Sequence, residues 1–394
     1  MAKTDNEKYV KRGADLFIVY DSAWEVEVEQ ANEGKIGAPY QYSETLLMLA
    51  AAVKVGLGVP YRQLEGIVGK MIGESKTPSF SQLYKRIARL DVNIDQSDMV
   101  VVSDKVHSRI LAVDATGLKQ HNRGEWMRVK WKKRRGFVKV HALVDTQTMK
   151  ILALSVTDDS VGDSTMFKAL LGQYVSTKKE SSHSETHNHS KTAESPPTEA
   201  TAGETSSHSE THNHSKTAES PPTEATSNPC CKNHLASGTS PFTSLLSGSG
   251  DQDKSDLMLG DAAYGSRENV AACEQAGMTS GILHKTNVTA RGKGSGDAWG
   301  VSVRDQLGGS PDAKRLDLMS QEEKKENQTY WKARLGYNMR WVVEGVFSLF
   351  KRLFGEHVTA LKWENIIQEI LLKVALYNKW RDESIARELG AGAL

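Results

Sequence analysis

Three acidic side chains stand where the sequence gives a carboxylate little to do except bind something. Asp114, in LAVDATGLK, ends a run of apolar and β-branched residues, and Asp261, in MLGDAAYGS, ends another. A carboxylate buried unpaired is costly, so at a strand end it must meet solvent or a cation. Two aspartates at the carboxyl ends of adjacent strands can converge on one divalent ion, and oxygen-only ligation suits magnesium or manganese. Taken singly, each aspartate reads more simply as a turn or helix-cap residue.

The third carboxylate has more context. In YNMRWVVEGVFSLFK (337–351) the polar residues are Tyr337, Arg340, Glu344 and Lys351. At about 100° per residue, all four fall within an arc of about 60° on a helix. Val342, Val343, Val346, Phe347, Leu349, Phe350 and Leu353 take the opposite side. One face is therefore expected to pack on a core, leaving a narrow edge with one carboxylate, two cations and a phenol. Glu344 completes a metal cage in this reading, Arg340 and Lys351 hold phosphates, and Tyr337 hydrogen-bonds to or stacks against nucleic acid. The plainer reading is a solvated stripe with one Arg340–Glu344 pair of a few tenths of a kcal/mol.

The elements that must position these groups are legible in outline. Strand texture marks 109–115, 136–145 and 150–157, then 256–261 and 280–285. Helical patterns fall at 163–175, 266–277, a long stretch near 328–354, and 363–381. Hairpin strands followed by helix–strand alternation predict an α/β class with a mixed sheet flanked by helices. Ahead of it, 43–56, 61–73 and 82–90 read as three short helices, the last carrying Lys85, Arg86 and Arg89 around Leu83, Ile87 and Leu90. Three such helices resemble a helix-turn-helix unit, and equally any small bundle with a basic face. Residues 286–327 suggest no role.

Residues 181–201, SSHSETHNHSKTAESPPTEAT, recur letter for letter at 206–226. Lacking large apolar side chains, this segment is expected to stay disordered as a surface insert. Its His-x-x-x-His-x-His spacing chelates metals only weakly and reads mainly as duplicated low complexity. The expected organisation is an arm (1–39), a helical DNA-binding domain (40–91), a core in two parts (105–176 and 256–382), the insert (177–255) and a tail (383–394).

The formal net charge of +1 conceals an asymmetry, because residues 178–256 hold six Lys against eleven Asp or Glu and leave +6 for the remainder. Residues 119–139 hold nine Lys or Arg against Glu125 alone, including Lys130, Lys132, Lys133, Arg134 and Arg135, with Trp126 and Trp131 interleaved. So dense a positive stretch is the footprint of a polyanion partner. Cys230, Cys231 and Cys273 form no disulfide framework and fit a reducing, cytoplasmic setting. No run of about 18 apolar residues suggests a membrane span.

The spacing Tyr-x2-Arg-x3-Glu-x6-Lys at 337–351 resembles the signature of insertion-sequence DDE transposases. VDATGLK around Asp114 and GDAAYGS around Asp261, with Tyr264 three residues on, look like that family's two aspartate motifs. The likeness runs from about residue 35 to residue 382 apart from the insert, and takes in YRQLEG (61–66) and FKRLFGEHVTALKWEN (350–365).

The resemblance implies a ribonuclease H-like core with Asp114 on its first strand, Asp261 at the end of its fourth and Glu344 on a late helix. These three would bind two Mg²⁺ or Mn²⁺ ions for two-metal cleavage and joining of DNA strands. It also implies double-stranded DNA as partner, both terminal inverted repeats and target, a homodimer on DNA, and residence at the nucleoid. A nuclease of the same fold without strand joining, and a catalytically dead DNA-binding regulator, remain as alternatives. The two aspartates stand 147 residues apart, more than this pattern leads one to expect.

Overall fold

The computed structural model describes residues 24–73, 77–94, 109–120, 137–188, 255–288, 297–313 and 316–390. Its centre is a mixed six-stranded sheet. The strands are β1 (Ile110–Gln120), β2 (Phe137–Asp145), β3 (Ile151–Asp158), β4 (Leu257–Gly260), β5 (Thr279–Ile282) and β6 (His357–Val358). Their order is β3-β2-β1-β4-β5, with β6 also pairing β1. β1, β2 and β3 run antiparallel, whereas β4 and β6 are parallel to β1 and β5 is parallel to β4. A mixed sheet flanked by helices was the expected class, and the arrangement is consistent with a ribonuclease H-like fold.

The helices are α1 (Trp24–Asn32), α2 (Glu44–Leu57), α3 (Tyr61–Ile72), α4 (Phe80–Ile87), α5 (Asp163–Asn188), α6 (Arg267–Gln275), α7 (Ala298–Gly308), α8 (Gln321–Leu335), α9 (Trp341–Phe354) and α10 (Trp363–Gly390). Strand side chains alternate between faces, so β1 feeds two cores at once. Leu111 and Val113 pack with Leu143, Met258 and Ile282 against Phe167 and Leu170 of α5 and Cys273 of α6. Ala112 and Leu118 pack with Ala142, Leu257 and Leu259 against Val343, Val346 and Phe350 of α9 and Ile370 of α10. Asp114 shares the parity of Ala112 and Leu118, which aims it at the α9 side. None of the described helices is long and apolar enough to cross a membrane.

The three helices expected within 40–91 form with clear local causes. Ser43 caps α2 by accepting from the Leu46 amide, and Ser79 and Gln82 make a capping box at α4. Pro60 stands at the N-cap of α3. Their apolar faces share one core with α9, α10 and the sheet. Gln368 of α10 donates to the Ile87 and Leu90 carbonyls, and Asn365 donates to the Tyr84 hydroxyl, so the end of α4 is satisfied by α10.

Several boundaries depart from expectation. β1 continues past Asp114 to Gln120, because β2 pairs with it as far as Lys119 and β6 takes up Lys119 and Gln120. The expected long helix near 328–354 is broken. Gly336, at φ 68°, ends α8 in the left-handed conformation that glycine adopts without steric cost, and a 3₁₀ turn, Tyr337–Arg340, precedes α9. Residues 286–327, which suggested nothing, supply α7, a short 3₁₀ turn and the start of α8 over a small core of Val270, Trp299, Val303 and Leu307. The tail is helical to Gly390.

α5 runs to Asn188, beyond the expected end at 175 and into the stretch assigned to the insert. Asp256 anchors the first turn past residue 175, at Lys178. Its carboxylate accepts from the Arg109 amide (3.0 Å), the Tyr174 hydroxyl (2.8 Å) and the Lys178 ammonium (2.8 Å). Burial alone would raise that carboxyl, but Lys178, the Arg109 amide and Tyr174 outweigh it and hold it below the usual range. One buried carboxylate thus joins the start of β1, the middle of α5 and the residue before β4. The duplicated repeats themselves lie outside the described residues, apart from 181–188. Replacing 190–253 by a short Gly/Ser linker, with Lys178 and Asp256 kept, is expected to leave the melting temperature unchanged or slightly raised. Each halving of loop length returns only about 0.6 kcal/mol. Calorimetry of the shortened chain checks this, and loss of the cooperative transition would count against it.

Candidate active site

β4 stops at Gly260 while β1 goes on, and the site lies at that step. Ile110, Leu111 and Ala112 pair with Leu257, Met258 and Leu259. Continuing the register two residues sets Asp114 level with Asp261, on strands about 4.8 Å apart. Each aspartate is fixed locally. Asp114 accepts from the Ala115 amide at 2.8 Å, and Asp261 accepts from the Ala263 amide at 2.9 Å as its turn closes. Gly265 completes that turn, where a Cβ would lie 2.8 Å from the Leu283 carbonyl oxygen, so a side chain does not fit.

The third acid arrives from α9. Val342, Val343, Val346, Phe347, Phe350 and Phe354 are buried, leaving Glu344 exposed on the other side. Arg340, the last residue of the 3₁₀ turn, bridges the two elements. Its Nη1 is 3.4 Å from Asp114 Oδ2 and its Nη2 is 2.7 Å from Glu344 Oε1. Burial pushes the Asp114 carboxyl above the usual range. Asp261 and Glu344 add to that push, whereas the Ala115 amide and Arg340 oppose it. Asp114, Asp261, Arg340 and Glu344, from three distant stretches of chain, therefore share one electrostatic neighbourhood.

Tyr337 is not on the solvent-facing arc that a continuous helix would give it. The break at Gly336 turns it inward, where it is 9% exposed. Its hydroxyl donates to the Gly260 carbonyl at 2.9 Å, next to Asp261. It tethers the Arg340 turn to the end of β4 instead of facing outward to nucleic acid. Tyr337→Phe is expected to cost about 1 kcal/mol, since the Gly260 carbonyl keeps its bond from the Leu283 amide. Chemical denaturation against the parent chain measures this, and a cost above about 3 kcal/mol would mean the hydroxyl holds more than this one bond.

Lys351 lies seven residues beyond Glu344 on α9 and is half-buried. Lys85 and Arg89 are exposed on and just after α4, and Arg86 sits over the Tyr42 ring. The charges that act on Asp114 are Arg340, Asp261 and Glu344, and the α4 cations are not among them. Lys130, Lys132, Lys133, Arg134 and Arg135 lie outside the described residues. At the flanks of that basic stretch, Lys119 pairs with Glu356 and Lys139 with Asp163.

Two features escaped the sequence reading. On the opposite sheet face, buried His141 reaches Thr157 at 2.9 Å and Asp163 at 3.5 Å. A histidine inside the apolar run VKVHALVD was the available signal. Trp341 is the other, 61% exposed beside Arg340.

Among the described residues, no three His, Cys, Asp or Glu side chains are close enough as they stand to hold a metal ion. The donor chemistry of Asp114, Asp261 and Glu344 does suit a hard divalent cation, being carboxylate oxygen throughout. The cation actually lying against two of them is the Arg340 guanidinium.

Two family models match the chain. Residues 10–123 match one described as a transposase DDE domain. Residues 106–184 and 237–379 match a second with the same description. The stretch passed over, 185–236, contains nearly all of the duplicated repeat. No solved structure matches.

Proposed function

The chain belongs to the transposase DDE-domain family, and from that premise we propose that it is an insertion-sequence transposase, cutting and rejoining DNA strands at Asp114, Asp261 and Glu344. The observation that carries this reading is the meeting of Asp114 and Glu344, 230 residues apart, on one guanidinium, level with Asp261. Asp114, partly desolvated and gathered with two other carboxylates, needs a cationic partner in the working state.

In this reading the three carboxylates hold divalent magnesium or manganese, two ions per site. When bound, such ions supply activation of the attacking water or 3′-hydroxyl and stabilisation of the leaving oxygen. The chain's own residues do the rest. Asp114 and Asp261 are fixed by backbone amides, so their oxygens are already oriented. Tyr337 holds the Arg340 turn against the end of β4. Arg340 and Lys351 offer positive charge to the phosphate, which helps most where charge builds up during transfer. Lys85, Arg86, Arg89 and the basic stretch 119–139 are assigned to contacts with the DNA backbone. Holding two DNA ends at once calls for a homodimer on DNA.

The test is to incubate purified protein with Mg²⁺ and the inverted repeats that flank its gene. Joined strands support the transposase reading. Nicks without joining point to a nuclease, and binding without cleavage to a regulator.

A further inference from the structure

An arginine four residues before a glutamate on one helix is an ordinary surface pair. Arg340 goes further than that. Its second partner is Asp114, which comes from the centre of the sheet 226 residues earlier. The fork geometry of guanidinium lets one side chain serve both carboxylates at once, Nη1 to one and Nη2 to the other. The turn carrying Arg340 is itself pinned, through Tyr337, to the backbone beside Asp261. Arg340 therefore lies against two of the three carboxylates assigned to a divalent cation, and among the described residues no three His, Cys, Asp or Glu side chains form a group that could hold one as they stand.

We infer that Arg340 is a resident counter-ion, which must release Asp114 and Glu344 before the site takes up divalent metal, and that a DNA phosphate is the group that draws it away. This rests on the reading of Asp114, Asp261 and Glu344 as the metal-binding carboxylates. It makes metal and DNA mutually dependent. Without DNA, the guanidinium competes with the ion for the same oxygens. With DNA, it exchanges carboxylate for phosphate, both of which match its planar fork. Coupling of this kind is reciprocal, so metal must raise DNA affinity by the same factor as DNA raises metal affinity.

The experiment is Mn²⁺ titration of the full chain without DNA, with free ion followed by electron paramagnetic resonance. It compares the wild type with Arg340→Gln, Arg340→Lys, Arg352→Gln and Asp261→Asn. Arg340→Gln is expected to bind Mn²⁺ about tenfold more tightly than wild type, within the usual range of coupling. Arg340→Lys keeps the charge but loses the fork, and is expected between the two. Arg352, exposed on the same helix, controls for net charge. If Arg352→Gln tightens binding as much as Arg340→Gln, or if Arg340→Gln binds no more tightly than wild type, the inference is overturned. Asp261→Asn separates this from the underlying reading. Loss of Mn²⁺ binding there keeps the carboxylate assignment whatever Arg340 does, whereas unchanged binding overturns both.

Discussion

Asp114→Asn protein, given DNA ends and Mg²⁺, will bind the ends and leave them essentially uncut, a loss of roughly a thousandfold or more in cleavage rate. The substitution is nearly isosteric and removes only the charge. The amide oxygen can still accept the Ala115 bond that now orients Oδ1. What goes is the anion facing Arg340 and level with Asp261. The fold should not suffer. Burial holds the Asp114 carboxyl above its ordinary range, so the folded chain binds that proton more tightly than the unfolded chain does. Stability therefore falls as pH rises through the carboxylate range, and an uncharged amide escapes that loss. Asp261→Asn should act alike. Gel analysis of cleavage beside thermal melting separates the two effects. Cutting within tenfold of wild type, at an unchanged melting temperature, would remove Asp114 from the chemistry.

The largest expected loss of stability lies elsewhere. Glu369 on α10 is buried, and it accepts from the Thr359 amide and hydroxyl, the Ala360 amide and Lys373 at 2.9 Å. Lys373 in turn donates to the His357 carbonyl of β6. Burial alone would raise the Glu369 carboxyl, but Lys373 and the Thr359 donors hold it below the usual range. Its contribution is therefore complete above the ordinary glutamate range and is lost as pH falls through the lowered folded value. Glu369→Ala strands the Lys373 charge and several donors, and is expected to cost roughly 3–5 kcal/mol. Replacing both residues by leucine and methionine should cost less, since no buried charge is left alone. Urea denaturation of the single and double variants decides it. An equal cost would show that the hydrogen bonds to Thr359 and Ala360 matter more than the ion pair.

What the sequence disclosed and what it withheld have physical causes. Strands announced themselves where apolar, β-branched residues had to fill both sheet faces, as in β2 and β3. The buried stripe of α9 was readable because period 3.6 and burial coincide there. Gly336 was not recognised as a stop, since a single glycine inside a helical pattern breaks it only if the chain must turn there. The reach of β1 to Gln120 depends on β6, more than 230 residues later, and no local pattern encodes a distant partner. For the same reason Arg340 was legible as a cation beside Glu344 but not as a link to Asp114. Past its apolar residues, α5 gains a hold at Lys178, which meets Asp256 across the insert.

That last meeting bears on how such a gene can change. Where the two banks of an insertion are already fastened to each other, folding exerts almost no selection on the text between them. The 21 residues 181–201 that recur at 206–226 are extra length of this kind. The neighbourhood of Asp256 is thus a place where the chain can carry added length at little cost to its core.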